Sequence, residues 1–324
     1  MHIAIIGCGQ IGSRHLQGLS KIENGAVIFL VDNLDSNIQR SIKRFKEVLP
    51  QDQRHKFQVN IRDIDKIECD IDIAIFSSTA ATRSMLTKKF LSYTKVKYII
   101  FEKFLFQNRA DFKEIQDLLK FKKIKAWVNQ WMSSSYAFKE MNNWFGNDLQ
   151  EIKIDGRNWG MCCNSVHYLE YFDYISSRQG LIISNSNIDS KVINSKRNDN
   201  FELTGMITVK SKSGMKMTLT SQNLKTDGIV NIRMLGKSKT LDASFSENTI
   251  ICKYYDELAG ENCKQYKIPM QSQLTGNIVE KIFYNESCSL PTYDQSVRQH
   301  LIIFDCFKIV FKQQLQLINK CPIT

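Results

Sequence analysis

The sequence feature that most constrains the fold is a glycine-rich segment that directly follows the first apolar run. Residues 3–6 are continuously apolar, as is typical of a strand buried on both faces of a parallel sheet. Gly7, Gly9 and Gly12 follow at GxGxxG spacing and lead into an apolar helical pattern. In such a turn the glycines permit a tight bend, close approach of a pyrophosphate and close helix–strand packing. The segment therefore predicts a dinucleotide site; a glycine-rich turn of another α/β protein is the alternative interpretation.

The second apolar run, residues 26–31, ends in an acidic residue. Asp32 comes twenty residues after Gly12, where a carboxylate binds the ribose hydroxyl pair of a dinucleotide. A carboxylate also repels a 2′-phosphate, so Asp32 favours NAD over NADP. We therefore expect NAD, with NADP as the less favoured cofactor. The expected pyrophosphate contacts come from the turn itself, namely Gly7, Gly9, Gln10, Ile11 and Gly12.

Strand patterns and amphipathic helix patterns alternate in the following segment. The predicted later strands are 57–59, 71–76, 98–101 and 124–128, with helical spacing of apolar residues between most of them. This alternation predicts a doubly wound parallel sheet, a Rossmann domain over residues 1–126. Ligands bind beyond the carboxyl ends of such strands. We therefore expect Ser77, Ser78, Glu102 and Lys103, which follow two of these strands, to lie along the cofactor.

The pattern changes after about residue 146, where segments of period two predominate. The predicted strands include 151–158, 203–209, 215–221, 229–235 and 249–254, with turns at 212–214 and 226–228. Helical patterns cover 165–177, 273–287 and 293–317. Residues 127–324 are therefore expected to form an α+β domain with a mostly antiparallel sheet and helices on one side. Because the other face would be exposed, we expect a homodimer or homotetramer through this sheet.

Composition and net charge limit the classes of protein to which the chain can belong. No apolar run approaches the ~20 residues of a membrane span, and the first strand starts at the first residues, so we expect a cytoplasmic protein without a signal peptide. The nine cysteines form no CxxC pair, and we expect no structural metal. The net charge of +11 raises nucleic acid as a partner. Because the basic residues are dispersed, we attribute the positive charge to a solvated surface or to a site for an anionic substrate. We expect neither a nucleic acid nor a membrane as a partner.

Two positions are candidates for acid–base chemistry. Lys103 follows a strand that points at the cofactor crevice, where an ammonium can bridge a substrate hydroxyl and the nicotinamide ribose. His167 lies on a predicted helix with Cys163 one turn before it and Glu170 on the same face. An imidazole titrates near neutrality and can serve as general acid or base. A surface lysine and a structurally satisfied histidine are the alternatives, and Cys163 as a covalent nucleophile is less favoured.

A third group of residues suggests a sugar site. Residues 127–132 are rich in aromatic and amide side chains, and Arg157, Asn158 and Trp159 follow a predicted strand. Arginine can hold a carboxylate or phosphate, and Trp159 can line a sugar ring. Packing is the alternative interpretation, and it is preferred for Trp127 and Trp144.

The chain resembles the glucose–fructose oxidoreductase / inositol dehydrogenase / MocA (Gfo/Idh/MocA) family in three places. These are the glycine turn together with the residues up to His15, the pair Glu102–Lys103, and His167 further along the chain. The resemblance implies a Rossmann domain, a second sheet domain, and nicotinamide-dependent oxidation or reduction of a sugar, cyclitol or related group. It implies catalytic roles for Lys103 and His167. The segment around Trp159–His167 more weakly resembles a branch from bacterial surface-glycan and nucleotide-sugar gene sets.

Departures from the family pattern also bear on function. Phe104 replaces the usual proline, Arg83 stands near a common histidine, and Cys163 replaces an aspartate four residues before His167. Without that acid, the proton relay runs through Lys103 and His167 alone, or Asn164 binds the substrate instead. The predicted substrate residues are Asn164, Cys163, Glu170, Arg157 and Trp159. An NAD-retaining glycosidase and a non-catalytic NAD-binding sensor or partner protein are the alternative functions.

Overall fold

The apolar runs in the first part of the chain form a parallel sheet. In the computed structural model, which describes residues 1–195, 197–224, 230–246 and 248–324, its strands are β1 His2–Ile6, β2 Ala26–Val31, β3 Phe57–Ile61, β4 Ile71–Phe76, β5 Val96–Phe101 and β6 Lys125–Val128. Their order is β3-β2-β1-β4-β5-β6, and every pairing is parallel. This is the strand order of a Rossmann fold, and it confirms the predicted class.

Helices connect most of these strands, as is usual in a parallel sheet. They are α1 Gln10–Leu19, α2 Asp35–Val48, α3 Ala80–Tyr93 and α4 Arg109–Phe121. The order places the carboxyl ends of β1 and β4 side by side at the point where the chain reverses direction across the sheet. A ligand crevice forms at such a switch point.

A second, mostly antiparallel sheet follows. Its described strands are β7 Leu149–Arg157, β8 Leu181–Ile188, β11 Gly205–Ser211, β12 Lys216–Gln222, β13 Asn231–Gly236, β14 Lys239–Ser246, β15 Thr249–Asp256 and β16 Gly260–Lys267; β9 Ile193–Asn194 and β10 Phe201–Glu202 form a separate pair. The order is β16-β15-β14-β13-β7-β12-β11-β8, with β7 and β12 parallel. In the sequence, helix α5 Tyr136–Phe145 precedes β7 and helix α6 Met161–Ile175 follows it. The predicted α+β architecture is confirmed.

Two further helices, α7 Gln271–Asn285 and α8 Tyr293–Leu315, follow the sheet. The chain divides into one unit of Met1–Phe106, Ala110–Asn129 and Pro269–Tyr293, and another of Gln107–Arg109, Gln130–Ile268 and Asp294–Thr324. The first unit thus takes in α7, which the predicted boundary at residue 127 had left with the second domain. The reason is burial: Ile278, Val279 and Ile282 of α7 join the core formed by β1 and α1.

Some element boundaries differ from those predicted. Helix α6 begins at Met161, before the predicted start at residue 165, and β8 and β16 were not predicted as separate strands. The predicted turn at 226–228 and the start of the predicted strand at residue 229 lie outside the described residues. None of the helices within the described ranges combines the length and hydropathy needed to span a membrane.

Candidate functional site

The turn between β1 and α1 needs glycine at two positions and leaves space at a third. Gly7 has φ +95°, and a Cβ at Gly12 would lie 1.9 Å from the carbonyl oxygen of Gly7. At Gly9, in contrast, no described atom beyond its two chain neighbours lies within 4 Å of the position that a Cβ would take. The N-cap residue of α1 is Gly9, which has no side chain that could cap the first turn. Open backbone at a helix N-terminus fits the pyrophosphate of a dinucleotide.

Asp32 lies beside this turn at the end of β2. Its Oδ2 accepts a hydrogen bond from the Cys8 backbone N–H at 2.6 Å. Its Oδ1 accepts bonds from the Leu34 N–H at 2.9 Å and from Asn37 Nδ2 at 3.1 Å. The carboxylate is therefore held next to the glycine turn, where a ribose would approach.

Arg44 of α2 contacts the first turn of α1, and Arg14 and Arg40 lie close enough to interact with it electrostatically. Arg44 Nη1 donates to Gln10 Oε1 at 2.8 Å and to Ser13 Oγ at 2.6 Å. Partial burial and the charges of Arg14 and Arg40 lower the pKa of Arg44. This positive cluster attracts anions, whereas the Asp32 carboxylate repels them. The two features therefore have opposite effects on the choice between NAD and NADP. Sequence reasoning did not identify it, because its members are separated along two helices.

Ser77 and Ser78 hold the turn in place through polar contacts. Ser77 Oγ donates to the Gly7 carbonyl at 2.6 Å. The Ser78 carbonyl accepts a bond from Arg83, a guanidinium with only 2% of its surface exposed. Arg83 also donates to the carbonyls of Phe104 and, at 2.9 Å, Leu105. Arg83 thus ties the β4–α3 turn to the residues that follow Lys103.

Phe104 itself is fully buried where the family pattern has proline, and the Lys103–Phe104 peptide is cis. Lys103, immediately before it, is partly exposed.

Glu102 sits in a buried polar network. Its Oε1 is 2.8 Å from His15 Nε2 and also accepts a bond from Asn129 Nδ2. The other ring nitrogen of His15 lies 3.0 Å from Thr275 Oγ1 on α7. Burial acts to raise the pKa of Glu102, but the contacts with His15 and Asn129 and the charge of Arg83 together outweigh it, and the pKa lies below its ordinary value. Glu102 therefore fixes the end of β5, and the partners Asn129 and Thr275 had no sequence signal.

In the second unit, α6 carries the predicted polar residues on its first turns. Asn164 Nδ2 donates to the Trp159 carbonyl at 2.8 Å, and Cys163 Sγ lies 3.5 Å from the Gly160 carbonyl. His167 is 8% exposed, and its ring centroid is 6.2 Å from that of Trp131. The structure thus brings Cys163, Asn164 and His167 together along α6, as their spacing predicted.

Three other predicted substrate residues have different surroundings. Glu170 has no exposed surface and accepts bonds from Ser133 Oγ at 2.7 Å and Arg178 Nη2 at 3.0 Å. Burial raises the pKa of Glu170 to about 7 despite these contacts. Trp159 is buried and donates through Nε1 to the Thr220 carbonyl at 2.8 Å, whereas Arg157 is exposed at the end of β7. Glu170 and Trp159 thus stabilise the surroundings of α6.

Residues 1–130 match the model of an oxidoreductase family with an NAD-binding Rossmann fold, Gfo/Idh/MocA. Over these residues the chain is similar to the Gfo/Idh/MocA oxidoreductase family. The match covers the glycine turn, Asp32 and Lys103, and it confirms the resemblance. No curated protein sequence matches the chain significantly.

Solved structures share the fold along nearly the whole chain. A protein from Desulfitobacterium hafniense assigned as an NADPH-dependent oxidoreductase has a TM-score of 0.72 at 11% identity, covering 97% of this chain and 96% of that one. The UDP-N-acetylglucosamine 3-dehydrogenase of Acidithiobacillus ferrooxidans has 0.67 at 10%, covering 94% and 96%. A 3-ketoreductase of Actinomadura kijaniata in complex with NADP has 0.68 at 12%, covering 94% and 95%. At these identities the likeness shows the fold alone.

Proposed function

We propose that the protein is a nicotinamide-dependent oxidoreductase that acts on a hydroxyl or keto group of a sugar or nucleotide-linked sugar. The observation that carries this proposal is the open backbone at Gly9 in a turn that Asp32 and Ser77 hold by hydrogen bonds. The substrate class is supported by two proteins of the same fold, a UDP-N-acetylglucosamine 3-dehydrogenase and a 3-ketoreductase.

Each polar residue then has a defined role. The backbone from Gly7 to Gly12 holds the pyrophosphate, and Asp32 accepts hydrogen bonds from the adenosine ribose. The bound nicotinamide supplies hydride exchange with the substrate carbon. Lys103 donates a hydrogen bond that polarises the reacting oxygen, and the His167 imidazole accepts or returns its proton. Buried Glu102 positions Lys103, and Asn164 binds a neighbouring hydroxyl.

NAD is the proposed cofactor, because the Asp32 carboxylate would repel a 2′-phosphate. The arginine cluster of Arg14, Arg40 and Arg44 acts in the opposite direction. The ratio of kcat/KM values for NAD and NADP measures which of the two features dominates.

The deciding experiment is a turnover assay of the purified protein with NAD, NADP and their reduced forms. UDP-N-acetylglucosamine, UDP-glucose and dTDP-glucose serve as alcohol substrates, and the corresponding 3-keto sugars as acceptors. A substrate-dependent change in absorbance of the reduced nicotinamide supports the proposal. Tight NAD binding with glycoside cleavage but no net cofactor reduction would instead identify a glycosidase, and binding without turnover would identify a sensor.

We also propose a homodimer or homotetramer through the sheet of the second unit. Ile152 and Ile154 of β7 are buried, whereas Lys153 and Asp155, which alternate with them along the strand, are exposed. One broad face of the strand is thus left to solvent. Light scattering at micromolar concentration tests this, and a monomeric mass would refute it.

A further inference from the structure

Glu202 brings a carboxylate to the first turn of α6 from a separate strand, β10. Its Oε2 accepts a hydrogen bond from the Cys162 backbone N–H at 2.8 Å. A Cβ placed on Gly160 would have Asn164 Nδ2 at 3.0 Å, Cys163 Sγ at 3.2 Å and Glu202 Oε1 at 3.5 Å. An amide, a thiol and a carboxylate therefore surround one point at the start of α6.

The Glu202 carboxylate lies at the N-terminal end of α6. The α6 residues that were predicted to act in catalysis or to bind substrate begin at the same end. His167 is four residues after Cys163, so their Cβ atoms are about 6 Å apart on one helix face. A negative charge is also favoured near the N-terminus of a helix. Residue 163 is a cysteine, whereas the family pattern has an acid at this position. Glu202 supplies that charge from another part of the chain.

Neighbouring contacts hold β10 against α6. The backbone N–H of Leu203 lies 3.2 Å from Cys162 Sγ, and the N–H of Phe201 donates to the Pro322 carbonyl at 2.9 Å. The residues on both sides of Glu202 are therefore fixed. Its carboxylate is pre-organised, which lowers the entropic cost of binding a ligand through it.

We infer that Glu202 binds a substrate hydroxyl at the start of α6 and takes the place of the acid absent at Cys163. Sugars present adjacent hydroxyl groups, and a carboxylate accepts their hydrogen bonds while Asn164 donates to a sugar oxygen. This inference rests on the proposed function, because it assigns one contact of the same substrate.

Glu202→Gln tests the charge alone, since the amide oxygen can still accept the bond from Cys162. Binding of UDP-N-acetylglucosamine, UDP-glucose and dTDP-glucose to the cofactor-loaded protein is measured by calorimetry. We expect affinity for the preferred sugar to fall at least about tenfold, with cofactor affinity and melting temperature unchanged. Cys163→Asp in the Glu202→Gln background should restore most of the affinity, because it returns a carboxylate to the same turn.

Asp189→Asn is the matched control. Asp189 is an exposed acid of the same unit that accepts a bond from Thr204 Oγ1 at 2.5 Å, so the change in net charge is identical. Its affinity should equal that of the wild type.

An unchanged sugar affinity in Glu202→Gln, an equal loss in Asp189→Asn, or a loss that Cys163→Asp does not recover would overturn the inference. If the wild-type protein binds these sugars but does not turn them over, the oxidoreductase proposal is refuted. The comparison of Glu202→Gln with the wild type would still decide the inference about Glu202. Failure of the wild type to bind any of these sugars would overturn both.

Discussion

Gly9→Ala should separate cofactor binding from folding, because the two functions of the glycine turn fall on different residues. The φ of Gly9 is −63°, which alanine adopts without strain, and no described atom beyond its two chain neighbours lies within 4 Å of the added methyl group. Alanine should therefore leave the free protein as stable as before, or more stable by about 0.4–1 kcal/mol through the unfolded chain. The same methyl group would occupy the space that the pyrophosphate needs.

The loss of affinity can be bounded. Forcing a methyl group into a filled contact costs about 1–3 kcal/mol, equivalent to roughly a five- to 150-fold weaker Kd. Calorimetric titration with NAD and NADP measures that Kd, and thermal unfolding of the free protein measures stability. Gly12→Ala is the matched control, since its Cβ would lie 1.9 Å from the Gly7 carbonyl oxygen. That variant should lose stability even without cofactor.

The reasoning is refuted if Gly9→Ala binds both cofactors as tightly as the wild type. It is also refuted if Gly9→Ala and Gly12→Ala lose the same amount of stability, because the open space at Gly9 would then have no consequence.

Three further variants test the other roles. Asp32→Ala should weaken NAD about tenfold and reduce discrimination against NADP, measured as the ratio of kcat/KM values; an unchanged ratio would exclude Asp32 from ribose binding. Lys103→Met should lower kcat at least about 100-fold while the Kd of the cofactor stays within about twofold, and wild-type turnover would contradict the mechanism. Burial raises the pKa of Glu170 to about 7 from 4.5, so between those pH values the folded protein retains a proton that the unfolded chain has lost. The free energy of unfolding should therefore fall as pH rises, by up to about 1.4 kcal/mol per pH unit, and Glu170→Gln should flatten this slope in denaturant titrations.

The first unit was predictable because most of its strands are buried on both faces. Residues 71–76 are apolar except for Asp72, and the strand has those same bounds. Strand β16 lies at the edge of the second sheet and nearly all its side chains are exposed, so it has no alternation of buried residues to detect. Helix α7 shows a further limit: an amphipathic pattern predicts that a face is buried but not which core receives it. Its apolar residues complete the first unit.

The residues of the candidate site likewise fall into those that the sequence predicts and those that it does not. Cys163, Asn164 and His167 were predictable because helical periodicity alone places them together. Glu202 lies about forty residues further on in a strand of two residues, and only the hydrogen bond to Cys162 reveals its position. An acid lost from a helix can thus be supplied by another element at the same point. The cysteine at position 163 is therefore weak evidence against catalysis, and the carboxylate to test is the one beside it in space.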